Sequence, residues 1–296
     1  MPDALTGSGS PKASRASRST RQAVDQPRSA DLEFAVALAA RAGEILMDRY
    51  ERLERIHYKS ARDVVTEADH MSEELIIESI KGYHPTDAIL AEESGEHHAV
   101  AGEAPTSGKG RVWIIDPLDG TVNYANGIPF FCVSIGLVMD GRPSVGVVHD
   151  PTRGETFAAT ADGPAMLMST LGTDSFAIQA SDKDKLSDFV VSLALSGRSV
   201  ATRARNVRKA IRIPRSMGSA ALALSYVGNG RFDAFIQQGG LSAWDIAAAG
   251  LIAERGGARV SAMDGGPWFD VGKAPRSIGV LAAPEPHHAE LLVLVR

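Results

Sequence analysis

The chain of 296 residues has a single cysteine, Cys132. No internal disulfide can form, and nothing calls for an oxidising compartment. The chain also lacks any apolar run long enough to cross a bilayer as a helix. The Ser- and Arg-rich N-terminus has no apolar core and does not read as a secretory signal. Residues 1–30 read as a disordered leader, and the cytoplasm is the expected location. No internal repeat is present. Net charge is unevenly spread: the tail carries +3, so the rest of the chain carries −8 against a total of −5. A mildly acidic body is a poor electrostatic match for bulk nucleic acid and a better one for metal cations.

What is present is ordinary for a soluble enzyme. The apolar share is 44% and the charged share 23%, with enough length for one large core or two smaller ones. Leu32, Val36, Ala39, Gly43, Leu46 and Tyr50 recur at helical spacing, with Asp31 as the expected N-cap. Asp63-Val64-Val65-Thr66 leads into a second helix, where Thr66 and Asp69 resemble a capping box. Ala88–Ala91 reads as a short strand that delivers Glu92 and Glu93 at its end. Residues 95–110 are polar and Gly-rich and read as an exposed loop. The runs 131–139, 144–149 and 155–160, separated by Asp140-Gly141 and Asp150-Pro151, predict an antiparallel meander.

From about residue 172 strand candidates alternate with helical stretches. The strands are 176–180, 189–194, 211–213, 232–236 and 278–282, with Val260 in a further one. The helices are 198–210, 218–228, 246–255 and 285–295. The expected fold class is therefore α/β (α+β). An antiparallel-sheet half over 31–170 carries the metal site, and an alternating α/β half follows over 171–296.

One stretch organises the rest. The run Val112–Ile115 reads as a buried strand that Asp116-Pro117 ends, and Asp119-Gly120-Thr121 stands at the entrance to a helical turn. Carboxylates three positions apart can hold hard divalent cations, while backbone N–H groups at such a turn can hold a phosphate. Gly120 lets the backbone approach a ligand without a Cβ in the way. Glu92 lies at a strand end and Asp245 at a helix start, where open α/β sheets put ligands. If these ends converge, Glu92, Asp116, Asp119 and Asp245 form an oxygen-rich pocket that is costly unless cations neutralise it. Mg²⁺-assisted hydrolysis of a phosphate ester suits such a pocket and needs no side-chain nucleophile.

Four elements in order carry a specific resemblance: Asp63–Asp69, Glu92-Glu93-Ser94, Trp113–Thr121 with Asn123-Tyr124, and Trp244–Gly250. From about residue 31 to the end, the chain resembles the inositol monophosphatase family. The resemblance implies a layered αβαβα sandwich of the sugar-phosphatase type, Mg²⁺ dependence and a homodimer. It makes Glu92, Asp116, Asp119, Asp245 and the carbonyl of Leu118 metal ligands, with Asp69 on a weaker outer ion. Glu92 and Thr121 would orient and deprotonate the attacking water, with Asp119 in the same catalytic set. The N–H groups of Gly120 and Thr121 would cradle the phosphate. Gly218, Ser219, Ala220 and Asp245 would face the rest of the substrate. Inositol-selective relatives place a Glu some seven residues before the Trp-Asp pair. This chain has Gln237-Gln238 there, an amide that bonds hydroxyls without bringing charge.

The reading is a phosphatase acting on a small phosphorylated metabolite, inositol 1-phosphate first. Histidinol phosphate and a 3′-phosphoadenosine nucleotide are the alternatives within the resemblance. An alternative of another class is an RNA- or protein-binding module, though nucleic acid is not an expected partner of the acidic body. Other signals are set aside. Gly102…Gly108-Lys109-Gly110 misses the phosphate-loop spacing by one and lacks the Ser/Thr. Asp116 and Asp119 are three apart, where haloacid dehalogenase phosphatases need two. His97-His98 and His287-His288 are expected on solvated surface. Cys132 is expected in the core. The basic run Arg198, Arg203, Arg205, Arg208, Lys209, Arg212 and Arg215 is expected to be a solvated face, or a patch for an anionic partner.

Overall fold

A computed structural model describes residues 30–50, 56–60, 63–98, 104–169, 174–195, 197 and 200–296. The expected leader and Arg198 lie outside the described residues. The chain opens with helix α1 (Ala30–Tyr50), a hairpin of β1 (Ile56–Ser60) and β2 (Asp63–Thr66), and helix α2 (Glu67–Tyr83). Strands β3 (Ala88–Ala91), β4 (Gly95–His97) and β5 (Arg111–Asp119) then lead to the short helix α3 (Thr121–Ala125). The meander follows as β6 (Cys132–Met139), β7 (Arg142–Asp150), β8 (Glu155–Thr160), β9 (Met166–Ser169) and β10 (Ser175–Ala177). The remainder alternates: β11 (Val190–Ala194), α4 (Ala201–Ala210), β12 (Ile213–Arg215), α5 (Ala220–Gly228), β13 (Ala234–Leu241), α6 (Ala243–Arg255), β14 (Arg259–Ala262), β15 (Ile278–Ala283) and α7 (His287–Val295).

Besides the two-stranded β1–β2 sheet, two larger sheets and three helical layers result. The first sheet has eight strands in the order β10-β9-β8-β7-β6-β5-β3-β4, antiparallel except for the β3–β5 pair. The second has five, β12-β11-β13-β15-β14, parallel on the β11 side and antiparallel on the β15 side. Leu38, Leu46, Ile76 and Ile80 of α1 and α2 pack on Trp113, Ile115 and Val133 of the first sheet. Leu222, Ile246 and Ile252 of α5 and α6 fill the space between the sheets. Val207 of α4 and Leu291 of α7 cover the outer face of the second sheet beside Val191 and Ile236. The order is αβαβα, as the resemblance implies.

The middle layer sits unusually close to the first sheet, and two glycines make the room. A Cβ on Gly146 of β7 would stand 2.6 Å from the carbonyl oxygen of Ala248, and one on Gly136 of β6 would stand 3.0 Å from the Ala247 Cβ. Helix α6 thus rests its Ala-rich face directly on the strand backbone. Gly146→Ala forces backbone apart, where no side chain can rotate away, and should cost about 1–3 kcal/mol or more. We expect a thermal midpoint lower by roughly 5–10 °C; an unchanged midpoint would contradict the contact.

Some local expectations are corrected. Helix α1 begins at Ala30, so Asp31 lies in its first turn. Its carboxylate accepts from both terminal nitrogens of Arg111 (2.9 and 3.1 Å) and does not act as the cap. Part of the loop expected over 95–110 is ordered: Gly95–His97 pairs with β3 and Pro105–Ser107 forms a 3₁₀ turn. The strand near residue 176 is short and extends the first sheet through β9, a four-residue strand absent from the expected set. His287 and His288 are buried, at 6% and 0% exposure, and not on the solvated surface. The His288 ring meets the Ser261 hydroxyl at 2.9 Å, and His287 packs edge-on against Phe189. Cys132 is in the core as expected.

Candidate active site

The site forms where β5 ends. Residues three apart on a regular strand face opposite sides of the sheet. On β5, Asp116 pairs with Ser134 and Asp119 with Cys132, three steps against two on β6. That extra residue is a bulge, and it cancels the half-period so that both carboxylates turn to one side. Gly120 follows with φ 100°, opening α3, and a Cβ there would crowd the Phe130 carbonyl at 3.1 Å. Asp116 Oδ1 accepts the N–H of Leu118 (3.0 Å), which fixes the turn. The Thr121 hydroxyl donates to the Leu118 carbonyl (3.0 Å) and lies 3.3 Å from Asp69 Oδ1.

Two other elements deliver the remaining acids. Glu92 stands one residue past β3, held by its N–H to the Ile115 carbonyl (3.2 Å). Asp245 is the third residue of α6 and closes a capping box, accepting the Ser242 N–H at 2.6 Å. Ligand oxygens of Asp116, Asp119 and Asp245 lie within 4.8 Å of one another. Glu92 joins them through a hydrogen bond shared with Asp116. The predicted carboxylates therefore converge, with Asp69 beside them through Thr121.

The predicted residues of the second half divide. Ser219 caps α5 and donates to Asp119 Oδ2 (2.5 Å), while the N–H groups of Ala220 and Ala221 reach the same carboxylate at 3.2 and 2.6 Å. Asp119 is thus an anchor for the start of α5 as well as part of the acidic cluster. Gly218 has φ 83°, and a Cβ would meet the Asn123 amide at 2.8 Å. That amide donates to the carbonyls of Phe130 and Met217, both at 2.7 Å, tying α3 to the approach to α5. Gln237 lies on β13, and its amide donates to the Gly239 carbonyl (3.2 Å).

Sequence reasoning passed over two residues of α2. Buried Ser72 donates to the Pro117 carbonyl (3.0 Å), and the buried Glu73 carboxylate accepts the N–H groups of Glu93 and Ser94 (2.9 Å each). The available signal was spacing, since both follow Asp69 by three and four positions, on the same helix face.

The electrostatics is one-sided. Burial pushes the Glu92 carboxyl up to about 7; its bond to Asp116 opposes this, and the charges of Glu93, Asp119 and Asp69 reinforce it. Burial, then the neighbouring acids, holds Asp116 and Asp245 well above the ordinary carboxylate range. Asp119 rises by burial too, opposed by the bonds it accepts from Ser219, Ala221 and Ala220. Carboxylates forced this close favour protons or a cation. An all-oxygen set of this kind fits a hard divalent ion such as Mg²⁺.

Comparison with known proteins agrees with this geometry. The model of the inositol monophosphatase family matches residues 28–296. A protein of Pasteurella multocida named Nus factor SuhB is 36% identical over 243 residues, covering 79% of this chain and 86% of its own. An inositol-1-monophosphatase of Mesorhizobium japonicum is 36% identical over 247 residues, covering 81% and 88%. Among solved structures, the extragenic suppressor protein SuhB of Bartonella henselae superposes with a TM-score of 0.79 at 29% identity, covering 90% of this chain and 99% of that one. The chain belongs to the inositol monophosphatase family, whose members are metal-dependent phosphatases.

Proposed function

We propose that the chain is a Mg²⁺-dependent phosphomonoesterase of small polyol phosphates, with inositol 1-phosphate as first substrate. The observation that carries this reading is the meeting of Asp116, Asp119 and Asp245 within 4.8 Å, beside Glu92 and Thr121. Bound by Glu92, Asp116, Asp119, Asp245 and the Leu118 carbonyl, with Asp69 on an outer ion, Mg²⁺ supplies charge to the phosphoryl oxygens and lowers the pKa of water. Glu92, one residue past β3 and beside Asp116, is the carboxylate placed to take a proton from the attacking water. Thr121 spends its hydrogen on Leu118, leaving its oxygen lone pairs to accept from the attacking water and orient it. The N–H groups of Gly120 and Thr121 hold the phosphate, and the start of α5 at Gly218, Ser219 and Ala220, with Asp245, meets the rest of the substrate. The Mesorhizobium relative's name supports inositol 1-phosphate. Histidinol phosphate and 3′-phosphoadenosine nucleotides are the alternatives. A cytoplasmic homodimer is the expected working form.

Phosphate release from these substrates, with and without Mg²⁺, tests the reading. Turnover of none of them, or turnover indifferent to chelation, overturns it. Thr121→Ala should lower kcat on the order of 10²-fold with KM changed less than about threefold. An effect confined to KM removes the hydroxyl from the water. Gln237→Glu should favour inositol phosphate about tenfold over the alternatives if this position reaches the ring. An unchanged ranking means that another residue does so.

A second reading rests on a different face. Between Asp188 and Asp233 the chain has no acidic residue and eight basic ones. Arg205, Arg208, Lys209 and Arg212, on and just after α4, are exposed, and the relatives named Nus factor keep an interaction role in view. An RNA- or protein-binding surface here would show as salt-dependent RNA binding that charge reversal at Arg205 and Arg208 abolishes while phosphatase turnover persists. Binding unaffected by the reversals returns this face to solvent.

A further inference from the structure

Helix α2 changes character along one face. Its buried stripe runs Asp69, Ser72, Glu73, Ile76, Ile77, Ile80, the i, i+3, i+4 repeat of a single side. The far end is apolar and packs in the layer with α1. The near end is polar and just as dry, with Asp69 1%, Ser72 0% and Glu73 4% exposed. Buried polar groups are costly unless bonded, and each of these three meets a different segment of the site. Asp69 meets Thr121 Oγ1 at 3.3 Å. Ser72 donates to the carbonyl of Pro117, midway between Asp116 and Asp119 on the bulge. Glu73 spreads its two oxygens over two successive N–H groups, those of Glu93 and Ser94, immediately after Glu92.

We propose that Ser72 and Glu73 are positioning residues: α2 clamps the turn that carries Glu92 and the bulge that carries Asp116 and Asp119, so that the carboxylates meet at the spacing a divalent ion requires. The proposal rests on the metal-site reading above. Left alone, the acids would spread. Repulsion among ionised acids drives Glu92 away from Asp116 and Asp119; the Glu92 turn lies past the end of β3, and the bulge interrupts the pairing of β5 with β6. Two charge-assisted bonds from one carboxylate hold the Glu92 turn without contacting the ion. The Ser72 bond holds the bulge at the Pro117 carbonyl.

The test is metal binding by the full chain, read by isothermal titration with MgCl₂ alone, together with thermal midpoints in EDTA. Glu73→Gln replaces one acceptor by a donor that faces an N–H, and should weaken Mg²⁺ binding roughly 10–100-fold. Glu73→Asp keeps the charge but is one methylene too short to bracket both N–H groups. It should be impaired as much as the Gln variant, which separates clamping from long-range charge. Ser72→Ala, neutral throughout, should cost about three- to tenfold. In each variant the Mg²⁺ concentration for half-maximal turnover should rise, while the substrate KM at saturating Mg²⁺ stays near the parent value. Folded Glu73→Gln and Ser72→Ala variants that bind Mg²⁺ within twofold of the parent overturn the clamp. Full affinity in Glu73→Asp with loss in Glu73→Gln assigns the effect to charge and overturns it also. A parent chain that binds no Mg²⁺ overturns the underlying reading instead, and the two failures are distinct.

Discussion

Asp116→Asn is expected to lose turnover on the order of 10³-fold while gaining stability in the absence of metal. The loss follows from the chemistry: a central ligand becomes a neutral amide, and several kcal/mol of charge stabilisation go with it. The gain follows from the fold. Asp116 is 1% exposed and faces Glu92, Asp119 and Asp245. Asparagine keeps the acceptor that holds the Leu118 N–H and offers an amide hydrogen to Glu92, so the bond between them no longer needs a proton held between two carboxyls. In EDTA we expect the variant to be roughly 1–2 kcal/mol more stable than the parent, an activity–stability trade within one side chain. Asp119→Asn should also lose turnover but move the other way in stability. Both its oxygens accept from the start of α5, and turning one into a donor leaves a clash worth about 1–3 kcal/mol. Denaturation in EDTA separates the two. Equal stability changes would mean that the acids are not strained as described.

The second large effect is on the pH dependence of stability with and without metal. The Glu92 carboxyl is raised in the fold from 4.5 to about 7, and Asp116, Asp119 and Asp245 move in the same direction. A raised carboxylate means that the folded state binds more protons than the unfolded one, so stability falls as pH rises between the two values. In metal-free protein the contribution of these acids should therefore be full below their unfolded values and be lost as pH climbs through about 7. Mg²⁺ competes with those protons and binds better as they leave. The gap between midpoints in MgCl₂ and in EDTA should widen from pH 5.5 to 8. Mg²⁺ at a hundred times its dissociation constant adds about 2.7 kcal/mol, roughly 5–10 °C. A gap that narrows with rising pH would contradict this electrostatic picture.

Much of the layering and most of the acidic set could be read from residues. The alternation of β-branched runs with helical periodicity from 190 to 295 pointed to the second sheet and its helices, and three of the four motifs pointed to Glu92, Asp116, Asp119 and Asp245. What escaped has a physical reason. His287-His288 looks like surface because both residues are polar, yet in the core the Lys183 carbonyl and Glu290 meet the His287 ring and the Ser261 hydroxyl meets His288 Nε2. Gly95–His97 looks like loop because an edge strand of three residues has too little pattern to register. The double use of Asp119 is invisible in sequence because its partners, Ser219, Ala220 and Ala221, lie about a hundred positions away. The bulge in β5 was legible only as an odd spacing of three, whose meaning depends on the pairing with β6.

The contact of α6 with Gly136 and Gly146 has a consequence for how this interior can vary. Elsewhere leucine and isoleucine cushion helix against sheet, and one branched residue can be exchanged for another with local repacking. Under α6 there is no cushion: main chain rests on main chain, and Asp245 rides on the same rigid seat a few residues away. Drift by small steps is closed to those positions, so the layer with the plainest residues is the one least free to change.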